Sequence, residues 1–575
     1  MPKPLLQLRS NLMRAADMTT PAHAGSDATA TDQRIKHVVI LGGGTAGWMT
    51  ASYLGKALQG SVAITLLEAP SIPKIGVGEA TVPNLQRVFF DYLGLREEQW
   101  MPECNASFKM AVKYLNWKTP GSPQPTARMH EGRPDYFYHP FGTLPNPDGI
   151  PLSHYWNYKR AIGATDEPFA HACFKEAAVM DRNLAPVARD GTPATNYAWH
   201  FDAHLVADFL RRFATQEQGV RHIQDELAEV TFSPSTGHIA ALRTKGGRVI
   251  DGDLFVDCSG FRGLLINQAL GEPFVDMNDH LLCNRAVATA VPHDDARHGI
   301  EPYTSAIAMD AGWTWRIPML TRFGTGYVYA GEFATADQAG LDFCRLWGLD
   351  PDTTHLNHIR FRVGRNRRAW VKNCVSIGLS SCFLEPLESS GIYFITAAIY
   401  QLVRHFPDTH FDPTLIERFN KKIVSMFDET RDFIQAHFYL SPRMDTPFWR
   451  ANKDLRLADD IVEKIAMYRA GMPINQPFVD SATYYTSFDI EFDNFWTNGS
   501  YYSIFAGLGV VPDRPFPLLT YKPDSIAAAD AHFDRVREDR ERLVASLPTC
   551  YEFLRKLHRR DGGAGQPIRG TRVMA

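Results

Sequence analysis

A glycine-rich turn near the amino terminus is the feature that most constrains how this chain can fold. Its sequence, GGGTAG at residues 42–47, has the pattern GxGxxG. In such a turn the first glycine permits a tight bend, the second lets the backbone approach a pyrophosphate, and the third lets a helix pack closely on a strand. The free N–H groups at the start of that helix then face the phosphates.

The context of the turn strengthens this interpretation. An apolar, β-branched strand is predicted at 37–41 and a helix at 45–58. A second strand predicted at 62–68 ends on Glu68, whose carboxylate can accept hydrogen bonds from ribose hydroxyls. The chain is therefore predicted to be an α/β protein that opens with a Rossmann-type, dinucleotide-binding βαβ unit.

Composition narrows the classes of function. The 575 residues are too many for one small core, and 45% hydrophobic with 22% charged residues is ordinary for a soluble globular protein. A net charge of −4 provides no large basic field, which argues against nucleic acid as the main partner. No apolar run is long enough to span a bilayer, so no membrane association is expected.

Eight cysteines are scattered along the chain, and no two of them form a CxxC pair. This spacing suggests neither a zinc ribbon nor a thioredoxin-like site, so no metal is expected. Isolated cysteines are usually reduced core residues, which is typical of a cytoplasmic enzyme. The first 33 residues lack a continuous apolar stretch, so a secretory signal is not expected there.

Four segments are expected along the chain. Residues 1–33 and 558–575 are predicted to be disordered tails. Residues 34–406 are predicted to form the α/β module, interrupted by insertions, and 407–557 to form a mostly helical part.

Within these segments, residues 108–115 alternate between apolar side chains and the lysines Lys109 and Lys113. They are predicted as one strand with both lysines on its polar face. The Pro- and Gly-rich stretch 120–151 is predicted to be a surface loop. The other predicted elements are helices at 204–216, 391–406, 413–439, 454–470 and 527–557, and strands at 249–256 and 373–377.

A second small-residue turn, DCSG at 257–260, follows one of these strands. Two-part flavin folds often pass near their cofactor through a turn of this kind. No second dinucleotide fingerprint follows, so electrons are expected to come from outside the chain. Flavin hydroxylases with a single fingerprint also exist, and this alternative stays open.

The segment GWTWRIP at 312–318 contains the pattern WxWxIP. Two tryptophans at i and i+2 of a strand share one face, and alone they favour a core aromatic pair. Together with the glycine fingerprint, the pattern resembles the paired signature of flavin-dependent halogenases. This resemblance covers roughly residues 35–555 and is strongest to the tryptophan halogenases; among these, the sequence looks most like the 7-halogenases. The stretches that carry it are KIGVGEATVP (74–83), WHFDAHLVADF (199–209), DCSGFRGLLINQ (257–268), GLSSCFLEPLESSGIYF (378–394) and YYTSFDIEFDNFW (484–496).

The resemblance implies a flavin monooxygenase-like module that binds FAD non-covalently, as FADH2 supplied by a separate flavin reductase. It implies that O2 forms a flavin hydroperoxide, which chloride or bromide attacks to give hypohalous acid. That oxidant would pass through an internal tunnel to Lys109 and halogenate the indole ring of free L-tryptophan. Position C7 is expected, with the 5- and 6-positions as alternatives.

Cofactor contacts are expected from the glycine turn and from the stretches that match the family. These residues are Gly42, Gly44, Thr45, Ala46, Gly47, Glu68, Lys74, Val77, Gly78, Glu79, Ala80, Asp257, Gly378 and Leu379.

Lys109 matches the catalytic lysine of the family. A buried ammonium can hydrogen-bond hypohalous acid and polarise its halogen, whereas a neutral amine could form a haloamine. The sequence leaves both open. Without the resemblance, a single lysine on a strand would be interpreted as a solvent-facing charge.

Glu388 matches the active-site glutamate of the family, and Glu385 is the nearby alternative. A carboxylate beside the reacting carbon can stabilise the cationic intermediate or remove its proton. The resemblance places the halide at the backbone amides of Ser390 and Gly391, at the start of a predicted helix. Better-known members carry threonine at position 390, which leaves the halide preference open.

The remaining matches concern the substrate and the tunnel. The resemblance implies that His139, Phe141 and Trp496 sandwich a planar indole, and Phe495 is expected as a further substrate contact. Contacts to the amino-acid backbone of tryptophan are expected at Tyr484, Tyr485 and Glu491. Tunnel-lining side chains are expected at Trp313, Trp315 and Ile317.

Two competing functions remain from the sequence alone. A single-component aromatic hydroxylase of similar fold would take electrons from NAD(P)H directly, but it leaves Lys109, Glu388 and WxWxIP unexplained. An FAD-binding protein without chemistry would not need both Lys109 and Glu388. A homodimer is compatible with the sequence.

Overall fold

The glycine turn lies at the carboxyl edge of a six-stranded sheet in the computed structural model, which describes residues 32–72, 78–475 and 495–559. The strands follow the order Arg221–Gln224, Ala63–Glu68, His37–Leu41, Leu254–Asp257, Cys374–Ser376 and Trp370–Val371. All neighbours are parallel except the last pair. Leu41 pairs with both Leu67 and Asp257, so three strands end beside the turn. The predicted α/β class is confirmed, with the turn where such sheets bind ligands.

The central strand His37–Leu41 is almost entirely buried, since both faces of the sheet are covered. Helix Thr45–Leu58 lies on one face, and two further helices, Ala203–Glu217 and Ser390–Arg404, pack against it. The Asp202 carboxylate accepts from two backbone N–H groups at the start of Ala203–Glu217, which stabilises that helix end. The opposite face is covered by an antiparallel sheet of strands Leu227–Phe232, Ile239–Thr244 and Val249–Asp251.

A second large sheet has seven strands and carries the tryptophan pair. Its order is Asn357–Arg360, Arg285–Pro292, Arg322–Tyr329, Gly312–Pro318, Thr304–Met309, Ala111–Leu115 and Tyr136–Pro140. The smaller sheets are Glu79–Ala80, Ala198–Phe201 and Ser107–Lys109; Phe274–Asp276, Gly364–Asn366 and Cys382–Phe383; and Met129–His130 with Arg133–Pro134. The insertions also contain the helices Glu97–Trp100, Leu152–Ala161, Phe169–Cys173, Glu176–Asp181, Asp295–His298 and Ala336–Trp347.

The single strand predicted at 108–115 is wrong. The backbone leaves one sheet after Lys109 and joins another at Ala111. Met110, between them, belongs to neither strand: its N–H donates to the carbonyl of Pro302, and its carbonyl accepts from the N–H of Phe141. The two lysines therefore lie in different surroundings. Lys109 is fully buried, and Lys113 lies over the rings of three tyrosines, Tyr136, Tyr138 and Tyr303.

The surface loop predicted at 120–151 is also wrong in part. Strand Tyr136–Pro140 forms the edge of the seven-stranded sheet, and most of its side chains are buried. The strand predicted at 249–256 is two strands that belong to different sheets, since the chain turns at Gly252 and Asp253. The sequence did not predict strand Tyr136–Pro140 or the break at Gly252 and Asp253. Both depend on which distant strands the segments pair with, and local residue preferences do not contain that information.

The described chain beyond residue 406 is mostly helical, as expected. Its helices are Pro413–Leu440, Pro447–Asp454, Asp459–Arg469, Asn498–Gly507, Pro523–Ser546 and Cys550–His558. The predicted helix 527–557 is two helices, because Leu547 is extended before Pro548. One apolar cluster includes Val38 as well as Leu554, so the two predicted parts pack on a continuous core and the boundary at 406 stays a prediction.

All eight cysteines lie in the described residues, where they are buried free thiols. None of the described helices combines the length and the apolar character that crossing a bilayer requires. The predicted tails fall almost entirely outside the described residues.

Candidate active site

The glycine turn forms a cradle whose three fingerprint positions differ in what surrounds them. Gly42 has φ +120°, and a side chain there would overlap the carbonyl group of Cys258. A Cβ at Gly47 would overlap the carbonyl oxygen of Gly42. At Gly44, by contrast, no other atom of the described residues lies within 4 Å of a Cβ position. Gly44 begins helix Thr45–Leu58 without any side-chain cap, so its end is free to receive phosphate.

The other predicted cofactor residues have different neighbours. A Cβ at Gly378 would lie 2.9 Å from that of Ala46, which brings the Gly378-Leu379 turn against the start of the helix. Gly78 lies against the predicted tunnel residue Ile317, with a Cβ position 3.4 Å from its Cγ2. Glu79 and Ala80, which follow Gly78, form a strand paired with Phe201 and His200. Burial and the charge of Asp202 raise the pKa of Glu79 to about 7. Lys74 and Val77 lie outside the described residues.

Two predicted acidic contacts have different partners. Glu68, at the end of its strand, is hydrogen-bonded to His222 Nε2 at 2.8 Å and stays partly exposed. Asp257 is buried, and its carboxylate accepts from the backbone N–H groups of Ser259, Leu265 and Ile266. Both its oxygens are occupied in this way, so Asp257 holds the turn that follows its strand. A direct contact stays a prediction.

Replacing Gly44 with alanine is expected to weaken FAD binding without unfolding the protein. The backbone angles there, φ −78° and ψ −173°, are open to any residue. The added methyl group would occupy the open space through which a pyrophosphate approaches the helix. We expect the Kd for FAD to rise at least about tenfold, or about 1.4 kcal/mol, in a flavin fluorescence titration.

Gly47→Ala is the matched control, because its methyl group would overlap protein atoms and is expected to lower the melting temperature as well. A Gly44→Ala protein that binds FAD like the parent would rule out this cradle as the pyrophosphate site.

Lys109 ends the strand Ser107–Lys109 and is completely buried. Its Nζ donates to the carbonyl oxygen of Thr81 at 2.9 Å and to Ser389 Oγ at 2.8 Å. The nitrogen also lies 4.7 Å from the centre of the Phe141 ring. Burial lowers the pKa of Lys109 to about 7, although the charge of Glu388 opposes this. The lysine is thus a buried group that can be ammonium or amine near neutrality.

Glu388 is buried and accepts hydrogen bonds from three side chains. Tyr114 and His437 Nε2, the latter at 3.0 Å, donate to Oε1, and His139 Nδ1 lies 2.9 Å from Oε2. Burial by itself would raise the pKa of Glu388. The charge and hydrogen bond of His139, joined by those of His437, outweigh that effect and hold the pKa well below its usual range.

Glu385 lies in different surroundings, three residues earlier. It is equally buried, but it accepts from Trp313 Nε1 at 2.6 Å, and burial raises its pKa to about 8. It is therefore mainly a neutral acid at pH 7. Only Glu388 is ionised and adjacent to Ser389, the partner of Lys109, which supports the choice of Glu388 over Glu385.

The predicted halide residues begin helix Ser390–Arg404. Ser389, which precedes the helix at φ +62°, does not cap it, because its hydroxyl accepts from Lys109. The Ser390 Oγ is buried and has no hydrogen-bond partner among the described residues. Space beside Gly391 is open, with no described atom within 4 Å of a Cβ position. Uncapped N–H groups next to a buried cation suit a small anion.

A cavity adjoins this cluster and is lined by predicted substrate residues. Its lining includes the aromatic rings of His139, Phe141, Phe495 and Trp496, together with Val82 and Pro83. The Trp496 ring stacks on Phe433 with centroids 4.2 Å apart, and Phe495 stacks on Tyr393 at 4.0 Å. A planar apolar ligand fits such walls. Tyr484, Tyr485 and Glu491 lie outside the described residues.

The predicted tunnel residues share strand Gly312–Pro318. The rings of Trp313 and Trp315 lie 6.3 Å apart, and Trp315 lies over Gly326, where any side chain would overlap its ring. Trp313 reaches Glu385, while Ile317 lies against Gly78, a predicted cofactor residue. One strand therefore connects the two predicted sites.

Sequence reasoning missed Tyr114, His437, Phe433, Thr81 and Ser389, all of which contact the predicted residues. His437 is one turn from Phe433 on a buried helix face, a pattern that normally indicates only core packing.

Comparison with known proteins gives one consistent family. A sequence model of the family described as tryptophan halogenase matches residues 37–524. The tryptophan 6-halogenase of Streptomyces albogriseolus is 65% identical over 528 residues, 92% of this chain and 99% of the relative. The tryptophan 7-halogenase of Lentzea aerocolonigenes is 61% identical over the same shares. The crystal structure of a tryptophan 6-halogenase from Streptomyces toxytricini superposes with a TM-score of 0.81 at 39% identity, covering 91% of this chain and 99% of that one.

Proposed function

This chain belongs to the tryptophan halogenase family, and we propose that it uses reduced FAD, O2 and chloride or bromide to halogenate the indole ring of free L-tryptophan, at C7. Family membership supports flavin-dependent halogenation of tryptophan, without the position on the ring. The observation that supports the catalytic assignment is the hydrogen bond from Lys109 to Ser389, the residue next to Glu388, beside an aromatic cavity.

The residues present fit FAD. The turn at Gly44 leaves room for a pyrophosphate, and Glu68 stands where a ribose hydroxyl would approach. Bound reduced flavin would supply the two electrons that activate O2, so that a halide ion is oxidised to hypohalous acid. The halide itself is proposed to bind at the amides of Ser390 and Gly391.

The chain's own side chains then direct the halogen. Lys109 holds hypohalous acid by a hydrogen bond or as a haloamine, and the indole carbon attacks the halogen. In the hydrogen-bonded form the halogen–oxygen bond breaks, and the ammonium of Lys109 gives a proton to the departing hydroxide, which leaves as water. In the haloamine form water has already left when the nitrogen–halogen bond formed; that bond breaks on transfer to the ring, and the nitrogen takes up a proton to restore the amine. Glu388 stabilises the positive ring and takes the proton from the halogenated carbon. Phe141 and Trp496 exclude bulk water from this step.

The position of halogenation is the finer part of the proposal. The resemblance of His139, Phe141 and the stretch 484–496 to 7-halogenases supports C7. The relatives do not separate the alternatives, since a 6-halogenase at 65% and a 7-halogenase at 61% identity are similarly distant. C6 and C7 are neighbouring atoms, so a small rotation of the ring in the cavity exchanges them.

A separate flavin reductase is the proposed source of electrons, since the sequence has one dinucleotide fingerprint. The eight buried free thiols suit a reducing, cytoplasmic location. Steady NADPH oxidation by the purified chain alone would favour a single-component hydroxylase instead.

The decisive experiment combines the chain with FAD, O2, a generic flavin reductase, NADH and L-tryptophan, with chloride and bromide in parallel. Mass spectrometry and NMR are expected to identify 7-halotryptophan. A 6- or 5-halogenated product would correct the position only, and the absence of any halogenated tryptophan would overturn the substrate.

A further inference from the structure

His437 has both ring nitrogens against oxygen atoms. In helix Pro413–Leu440, its Nδ1 lies 2.7 Å from the carbonyl oxygen of Phe433, and its Nε2 lies 3.0 Å from Oε1 of Glu388. The side chain is completely buried. A carbonyl oxygen only accepts hydrogen bonds, so Nδ1 must carry a proton.

The second nitrogen faces a more crowded oxygen. Oε1 of Glu388 already accepts from the Tyr114 hydroxyl, and Oε2 faces Nδ1 of His139. An ionised carboxylate only accepts, so Nε2 of His437 must then donate as well. The alternative is a neutral Glu388 whose proton sits on Oε1, the same oxygen that receives Tyr114. That arrangement replaces a charged acceptor by a weaker hydroxyl oxygen.

We propose that His437 is a positioning residue, a buried imidazolium that keeps Glu388 as a fixed negative charge beside the indole cavity. The proposal rests on the proposed function, because Glu388 acts in chemistry only if a ring is halogenated there. A buried carboxylate is costly without a countercharge, and a neighbouring imidazolium offsets that cost. Glu388 is then ready in every turnover to stabilise the cationic ring and accept its proton.

Four titratable groups face Glu388 or its neighbour Ser389: Tyr114, His139, His437 and Lys109. Tyr114 is neutral, since burial raises the pKa of its phenol well above the usual range. His437 reaches Oε1, the oxygen that Tyr114 also reaches, whereas His139 reaches Oε2. This separates its role from that of His139, which also lines the substrate cavity.

The His437→Gln substitution tests the proposal, because it retains an N–H donor of similar reach and removes the charge. We expect kcat to fall more than KM for tryptophan, and to fall further at acidic pH as Glu388 takes up a proton. Between about pH 8 and pH 6 kcat of the variant is expected to fall at least about twofold more than kcat of the parent, because loss of the imidazolium raises the pKa of Glu388. The parent contains the same other ionisable groups, so the difference between the two pH profiles reports the change at position 437.

His405→Gln is the matched control, since His405 makes the same bond from Nδ1 to the carbonyl oxygen one helical turn earlier, that of Gln401. This variant is expected to keep the parent pH profile. Melting temperature and FAD binding establish that both variants are folded.

A second measurement needs no turnover. In ¹⁵N-histidine spectra of the full chain at about pH 8, the ring that disappears in His437→Gln is expected to show both nitrogens protonated, and to lose one proton in Glu388→Gln. A neutral ring at position 437, or a His437→Gln pH profile equal to that of the parent, would overturn the proposal. Failure of the proposed function is seen separately, as a parent protein that forms no halotryptophan.

Discussion

Replacing Lys109 with methionine is expected to abolish halogenated tryptophan, to below about one thousandth of the parent rate, while FAD still binds. Methionine fills nearly the same volume, so the loss reports the missing nitrogen rather than a cavity. Without Nζ, neither a hydrogen bond to hypohalous acid nor a haloamine can form beside Ser389. General acid–base catalysis alone is worth about 10²–10⁴-fold, and the role proposed for Lys109 adds capture of the oxidant.

Product is measured by mass spectrometry under saturating reductase, and the melting temperature accompanies it. The carbonyl of Thr81 and the hydroxyl of Ser389 lose a donor in the variant, which costs about 1–3 kcal/mol of stability if both stay buried. Lys113→Met is the control, because Lys113 lies four residues away over the rings of Tyr136 and Tyr138. Halogenation that survives in Lys109→Met and not in Lys113→Met would refute the assignment.

The protonation state of Lys109 is expected to make both the stability and the rate of the enzyme depend on pH. Its pKa is lowered from 10.5 to about 7 in the folded protein, so the unfolded chain binds the extra proton between these values. Stability from this group therefore rises as pH rises through that window. The rate distinguishes the two chemical roles: hydrogen bonding by the ammonium predicts a fall above about pH 7, and haloamine formation by the amine predicts a rise.

The cofactor cradle was predictable because its determinants are local. The strand, turn and helix around residues 37–58 follow from one run of apolar residues and three glycines, and their bounds agree with the structure. The same local logic failed at Lys109, where alternation predicted a polar face. Burial there is produced by strands Glu79–Ala80 and Ala198–Phe201, which are distant in sequence, and only the resemblance to the family identified the lysine.

The carboxylate cluster shows why the remaining contacts could not be found from sequence. Glu388 meets Tyr114 and His139 on two strands of the seven-stranded sheet and His437 on a long helix. Each of these three residues, taken in its own element, has the pattern of an ordinary core side chain. They contact one carboxylate only because the sheet edge, the long helix and the start of Ser390–Arg404 meet in the folded protein. No local sequence pattern predicts that these elements meet.

The same change made at two neighbouring carboxyl groups tests this cluster most directly. Glu388→Gln is expected to lower kcat for halogenation at least about a hundredfold, because a neutral amide neither stabilises a cationic ring nor accepts its proton. Glu385→Gln is expected to retain most of the parent activity, since burial already keeps Glu385 largely neutral and a glutamine oxygen can accept from Trp313.

The measurement is kcat and KM for tryptophan in both variants, with FAD binding as a common check on folding. KM is expected to change little in Glu388→Gln, because the aromatic walls at Phe141 and Trp496 are untouched. Equal losses in the two variants would mean that burial, and not the ionised state of Glu388, explains its importance. A large loss in Glu385→Gln alone would mean that Glu385, hydrogen-bonded to Trp313, is the catalytic carboxyl group instead of Glu388.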